Sequence, residues 1–144
     1  MMAYKPGDKL EWHEYYEVGN DTINEQHQKL FALLNDLIDA CNEGKASREM
    51  LGGALHFLAK YVFEHFNYEE HIMEEYELPK REFHEHLHHE FSKTVRELVN
   101  SYDNTGEASD DELHEALKKT VNIVAAWFVT HILDHDIRTY ENLQ

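Results

Sequence analysis

Residues 22–41 read TINEQHQKLFALLNDLIDAC. Ile23, His27, Leu30, Leu34, Leu37 and Cys41 follow at alternating steps of four and three, the spacing that returns side chains to one face of an α-helix. Thr22 and Glu25 match a capping box, so the spacing predicts a helix over about 22–43, stopped near Gly44. The anomaly is His27, a polar ring on an apolar stripe. Cys41 reads as a small inert hydrophobe. As the single cysteine it forms no internal disulfide, which fits a reducing compartment.

The same period recurs along the chain. Ser47 can cap a second helix, over about 47–77, with the stripe Leu51, Ala54, Leu58, Tyr61, Val62, His65, Glu69, Ile72, Met73 and Tyr76. Pro79 separates it from a third, over about 80–101, carrying His84, Leu87, His88, Phe91, Val95 and Leu98. DNTGEAS (103–109) is a loop by composition. Ser109 and Glu112 form a second capping box ahead of a helix over about 110–135, with Leu113, Leu117, Val121, Val124, Phe128 and His131 inside. Residues 1–20 hold Pro6, Gly7 and Gly19 without a period and read as an N-terminal arm, anchored by Trp12. No segment has the period-two pattern of a strand. The expectation is an all-α, antiparallel up-down four-helix bundle with an N-terminal arm, a single domain over 1–144.

Composition narrows the function. The 144 residues suit one core. Lys plus Arg number 13 against 29 Asp plus Glu, a net charge of −16, and the adjacent basic pairs are Lys80-Arg81 and Lys118-Lys119. No phosphate-neutralising surface is expected, hence no nucleic acid. The apolar run Ile123–Val129 is far short of the roughly 20 residues that span a bilayer. The start MMAYKPGDKLEW has no apolar signal core, so the chain is expected to be cytoplasmic, with no membrane span. Phosphate-loop, Gly-x-Ser-x-Gly and Cys-x-x-Cys motifs do not occur, which leaves nucleotide, acyl-transfer and thiol chemistry without support.

Twelve histidines in this length need a reason. Each helix interrupts its apolar stripe with metal-ligand side chains: His27; His65 and Glu69; His84 and His88; His131. Residues four apart on a helix differ by only about 40° in azimuth, so His65 with Glu69, and His84 with His88, can address one region. The end of the fourth helix offers His131, Asp134, His135 and Asp136. Imidazole and carboxylate without thiolate suit iron, manganese or zinc. One ion uses at most about six ligands, and the set is larger, so two ions bridged by carboxylates account for it better. A ferritin-like centre expects two Glu-x-x-His motifs; only Glu85 to His88 has that spacing, and Glu85 would have to share a face it does not lie on. His13, His56, His71, His86, His89 and His114 fall off the stripes and belong to solvent or helix rims. Phe66, Trp127 and Phe128 read as core aromatics that would also keep water from a bound gas.

His27 in INEQHQKLF, His65 and Glu69 in EHFNYEE, His84 and His88 in FHEHLHHEF, and His131 with Asp136 in WFVTHILDHD together resemble the hemerythrin family, in its single-domain bacterial form. The resemblance covers nearly the whole chain and matches seven ligand positions. It implies two iron ions joined by an oxo or hydroxo bridge: His84, His88 and His131 on one, His27 and His65 on the other, Glu69 and Asp136 bridging. It also implies reversible O2 binding at the open position of the second ion, by two-electron oxidation of a diferrous pair. The reading is therefore a carrier, store or sensor of O2 rather than an enzyme. Its partners would be O2 and a client oxygen-using enzyme, and the chain itself a monomer or weak oligomer.

Geometry and resemblance disagree at one position. On an ideal helix His135 lies about 40° from His131, but Asp136 about 140° away. The resemblance selects Asp136, which requires a π-type turn or a helix end between them, with His135 beside the site. Two rival functions remain: a diiron enzyme acting on peroxide or ferrous iron, and a metal-storage or metal-sensing bundle without gas chemistry.

Overall fold

The computed structural model describes residues 9–43, 48–104, 106 and 109–140. The Gly44 stop, the Ser47 cap and the side chain of Leu51 lie outside what is described. After a 3-10 turn at Glu14–Tyr16 come four helices: α1 (Asp21–Glu43), α2 (Arg48–Glu75), α3 (Arg81–Asp103) and α4 (Asp110–His131). A π-turn, Ile132–Asp136, and a last turn, Ile137–Thr139, extend α4. α1 and α3 each pack against both α2 and α4, and with short connections this is an antiparallel four-helix bundle. There is no strand among the described residues. None of the described helices is long and apolar enough to cross a membrane.

α1 begins earlier than the Thr22 capping box predicts. Asn20 is the cap, its Oδ1 accepting the Ile23 amide at 2.9 Å, and a helix started there already satisfies the amide that Thr22 would have to leave outside. The Ser109 cap forms, accepting the Glu112 amide at 3.2 Å while its hydroxyl donates to the Glu112 carboxylate.

The core follows the four-and-three spacing with shifts at its edges. Leu30, Leu34, Leu58, Val62, Phe91, Val95, Leu117, Val121 and Phe128 are buried. Ala54 and Tyr76 are exposed, contrary to the expected α2 stripe, because Leu55 takes the inner position near Ala54 and α2 ends before Tyr76. Leu87, Leu98 and Cys41 are half-buried, and Val99 and Tyr102 close the α3 face instead.

The arm is tied down by two asparagines on α1. Asn35 pairs with both backbone groups of Leu10, at 2.7 and 2.9 Å, and Asn24 does the same for Val18, at 2.8 and 3.0 Å. Each side-chain amide acts as a short strand edge and satisfies groups that burial would otherwise orphan. Trp12 packs between Tyr16 and Phe31, ring centroids 5.4 and 5.5 Å away. Near the π-turn a smaller cluster of Val18, Ile23, Ile72, Met73, Leu78 and Tyr140 seals that end of the bundle.

Candidate metal centre

All four helices bring their polar stripe residues to one level. His27 (α1), His65 and Glu69 (α2), His84 and His88 (α3), His131 (α4) and Asp136 (π-turn) are all buried. They fall into two groups: His84, His88, His131 and Asp136, and His27, His65 and Glu69. Within each, the possible ligand atoms lie within 4.8 Å of one another.

The π-turn brings Asp136 in. The Ile137 amide donates to the Ile132 carbonyl, five residues back, so one extra residue is stored in the turn and the fifth residue returns over the first. Asp136 Oδ1 then lies 2.8 Å from His84 Nε2 and 3.2 Å from His131 Nε2. Its Oδ2 lies 3.2 Å from His27 Nε2. Glu69 Oε2 lies 3.3 Å from His65 Nε2 and 4.0 Å from His88 Nε2, and its Oε1 3.9 Å from His27 Nε2. Both carboxylates therefore stand between the two groups. His135 belongs to neither: it is half-buried, its ring 5.3 Å from that of His131. His56, His71, His86 and His89 are exposed, His13 and His114 half-buried.

The inner atoms fit a cation better than they fit each other. The Nε2 atoms of His84 and His88 lie 3.0 and 3.2 Å from that of His131, and three imidazole tips facing one another cannot all be donors or all be acceptors. His27 Nδ1 and Nε2, His65 Nε2 and all four carboxylate oxygens of Glu69 and Asp136 are buried without a well-aligned hydrogen bond. Native interiors rarely tolerate such a cluster, and positive charge among the tips and oxygens resolves it.

The electrostatics agree. Burial works against a charge on His27, but Asp136 and Glu69 outweigh it and raise the imidazole to about 9. At His84, too, burial is outweighed, chiefly by Asp136, and the group is raised. Burial lowers His65 and His88. It opposes ionisation of the carboxylates as well, yet His65 and His27 hold Glu69 below its usual range. His131, His27 and His84 hold Asp136 well below its own. The carboxylates are thus held anionic and His65 and His88 neutral, as a metal ion requires, while His27 must give up a proton to join them.

The outer ring nitrogens are anchored by residues the sequence reading missed. His65 Nδ1 lies 2.6 Å from Gln26 Oε1, and His88 Nδ1 3.1 Å from Glu70 Oε2. Both oxygens accept only, so each Nδ1 carries the proton and each Nε2 turns a lone pair inward. His84 Nδ1 lies 2.7 Å from Thr139 Oγ1. The Tyr140 hydroxyl donates to the Glu69 carbonyl at 3.2 Å. Gln26 and Glu70 are chain neighbours of His27 and Glu69, the one signal that could have found them. Aromatic rings wall the site: Phe66 stacks on His88 at 3.9 Å and Trp127 on His131 at 4.2 Å.

Comparison with known proteins decides the family. Residues 18–138 match the family model of the hemerythrin HHE cation binding domain. The chain belongs to the hemerythrin family. It is 30% identical over 127 residues to a bacteriohemerythrin of Stenotrophomonas maltophilia, covering 88% of this chain and 76% of that protein. It is 31% identical over 137 residues to a hemerythrin-like protein of Naegleria gruberi, covering 95% and 96%. A myohemerythrin of Theromyzon tessulatum is 24% identical over 139 residues, again covering 95% and 96%. The hemerythrin family binds iron, and the histidine and carboxylate cluster of this chain is able to hold a metal.

Proposed function

We propose that this hemerythrin-family chain holds two iron ions and binds O2 reversibly, as a carrier, store or sensor. The observation that carries the reading is the two-sided placement of Asp136, Oδ1 toward His84 and His131 and Oδ2 toward His27, which suits a carboxylate shared by two cations. His84, His88 and His131 would hold one ion, His27 and His65 the other, with Glu69 as the second bridge. The second group supplies fewer side-chain ligands, leaving room for a small molecule there.

A diferrous pair in this site would supply the two electrons that O2 binding draws and recover them on release. The chain's own part is orientation and exclusion. Gln26 and Glu70 fix the tautomers of His65 and His88, and Phe66, Trp127 and Phe128 keep the surroundings dry. Five imidazoles with two carboxylates make a site less anionic than a carboxylate-rich one, which favours return of O2 over further oxidation.

The test is an O2 titration of anaerobically reduced protein with iron counted per chain. About two irons and a diferrous spectrum restored on deoxygenation are expected. Full O2 binding at one iron per chain, or steady turnover of peroxide or ferrous iron, overturns the reading. Iron or zinc uptake with no O2-dependent absorption band identifies a storage or sensing bundle instead.

A further inference from the structure

On the side of the π-turn, a cleft of about 520 Å³ opens between the start of α3 and the end of the chain's helical part. Lys80, Phe83, His84, Asp134, His135, Arg138 and Thr139 line it, with Pro79 at its edge. Three properties set it apart. Lys80 and Arg138 both line it, neither in an ion pair with a carboxylate among the described residues, in a chain where acids outnumber bases 29 to 13. Phe83, 56% exposed, meets the His135 ring edge to face at 5.9 Å, so an exposed aromatic surface lines the same cleft as the cations. At its inner end the lining includes both members of the Thr139–His84 hydrogen bond.

We propose that this cleft binds a small aromatic monocarboxylate, its carboxylate between Lys80 and Arg138 and its ring against Phe83 and His135. The charge count selects the class. Lys80 and Arg138 against Asp134 leave one net positive charge, which suits a single carboxylate and disfavours a phosphate dianion. The flat, half-exposed Phe83 and His135 rings suit an aromatic body, whose burial supplies apolar area. Aliphatic carboxylates would lose that part. A bound ligand lies against His84, so its presence is felt at the candidate metal centre through the Thr139 hydrogen bond. That second half rests on the diiron reading; the binding itself does not.

The experiment is calorimetric titration of the metal-free and the iron-loaded chain with 2-naphthoate, with neutral 2-naphthylmethanol as control. Saturable binding of one naphthoate per chain is expected. Two lost charge-assisted contacts should weaken it roughly tenfold or more in the Lys80→Glu, Arg138→Glu double variant, and for the alcohol. Asp134→Asn should tighten it, a gain that misfolding cannot mimic. Naphthoate binding that does not saturate, or that ignores both charge changes, overturns the proposal. In the iron-loaded chain, saturation should shift the visible absorption bands, and Thr139→Val should abolish that shift. Binding with unshifted bands overturns the coupling. A chain that takes no iron still reports on the cleft by calorimetry, so failure of the diiron reading is distinguishable from failure of the site.

Discussion

The two ends of the bundle are built on the same spacing and held by different forces. Away from the arm's Val18 contact, Leu37, Ile38, Leu55, Val99, Leu113 and Leu117 fill the four-and-three positions with hydrocarbon, and burial alone stabilises them. At the other end the same positions carry five histidines, a glutamate and, through the π-turn, an aspartate. There the inner atoms lack partners among themselves. One half of the core is complete as polypeptide. The other gathers donors able to hold a metal, and in the proposed iron-loaded form its stability becomes a binding equilibrium.

The comparison breaks most sharply when the metal is withdrawn. Chelation of the iron-loaded protein should lower stability by about 4 kcal/mol or more, the linkage expected at a thousandfold excess over Kd, read as a falling midpoint in chemical denaturation. Asp136→Ala, His84→Ala and His88→Ala should each lose iron by metal analysis, while His135→Ala retains it. Loss in the His135 variant alone would reassign the fourth-helix ligand.

Next in size is a cavity in the dry half. Leu117→Ala should cost about 2–5 kcal/mol and leave iron per chain unchanged; a fall in iron would show that the halves are coupled. Third, Thr139→Val removes the partner of His84 Nδ1 and should weaken iron binding about 10- to 100-fold without unfolding the chain, measured by competition with a chromophoric chelator.

The fourth effect is a pH dependence. His27 is raised to about 9 in the metal-free chain, above its ordinary value, so it is protonated at pH 7 and must release that proton to become a ligand. Apparent iron affinity should climb with pH and level off near 9. For that one proton the slope is at most about tenfold per unit. Metal-free stability runs the other way: the His27 contribution is fully present below about 6.5 and is lost as pH rises through about 9. Proton release during anaerobic ferrous titration in weak buffer measures the first, and denaturation midpoints the second. Smallest of all, His86→Ala, on an exposed face, should stay within about 0.5 kcal/mol.

The helices and their polar interruptions were legible because both depend on spacing. Ile23, His27, Leu30 and Leu34 announce a face whatever packs against it, and the structure buries them all. Even the break in α geometry could be anticipated, from the conflict between Asp136 and its azimuth. What escaped depends on contacts without a period. Asn20 outcompetes Thr22 as a cap, Asn24 and Asn35 hold the arm, and Gln26, Glu70, Thr139 and Tyr140 brace the centre from the flanks of their helices. A flanking polar residue looks like any solvated one until the neighbouring helix is in place.

The π-turn acts on the helix as a frameshift acts on a message. By storing one residue it rotates the reading of everything after Ile132, and the ordinary four-residue ladder resumes with the Tyr140 amide on the Asp136 carbonyl, 3.1 Å. Three inward assignments depend on the new frame: Asp136 beside the histidines, Thr139 on His84, and Tyr140 on the Glu69 backbone. Forcing ordinary α geometry on the full sequence would turn all three away together, whereas deleting one residue between His131 and Asp136 would remove the stored residue and leave all three facing inward, four, seven and eight steps from His131.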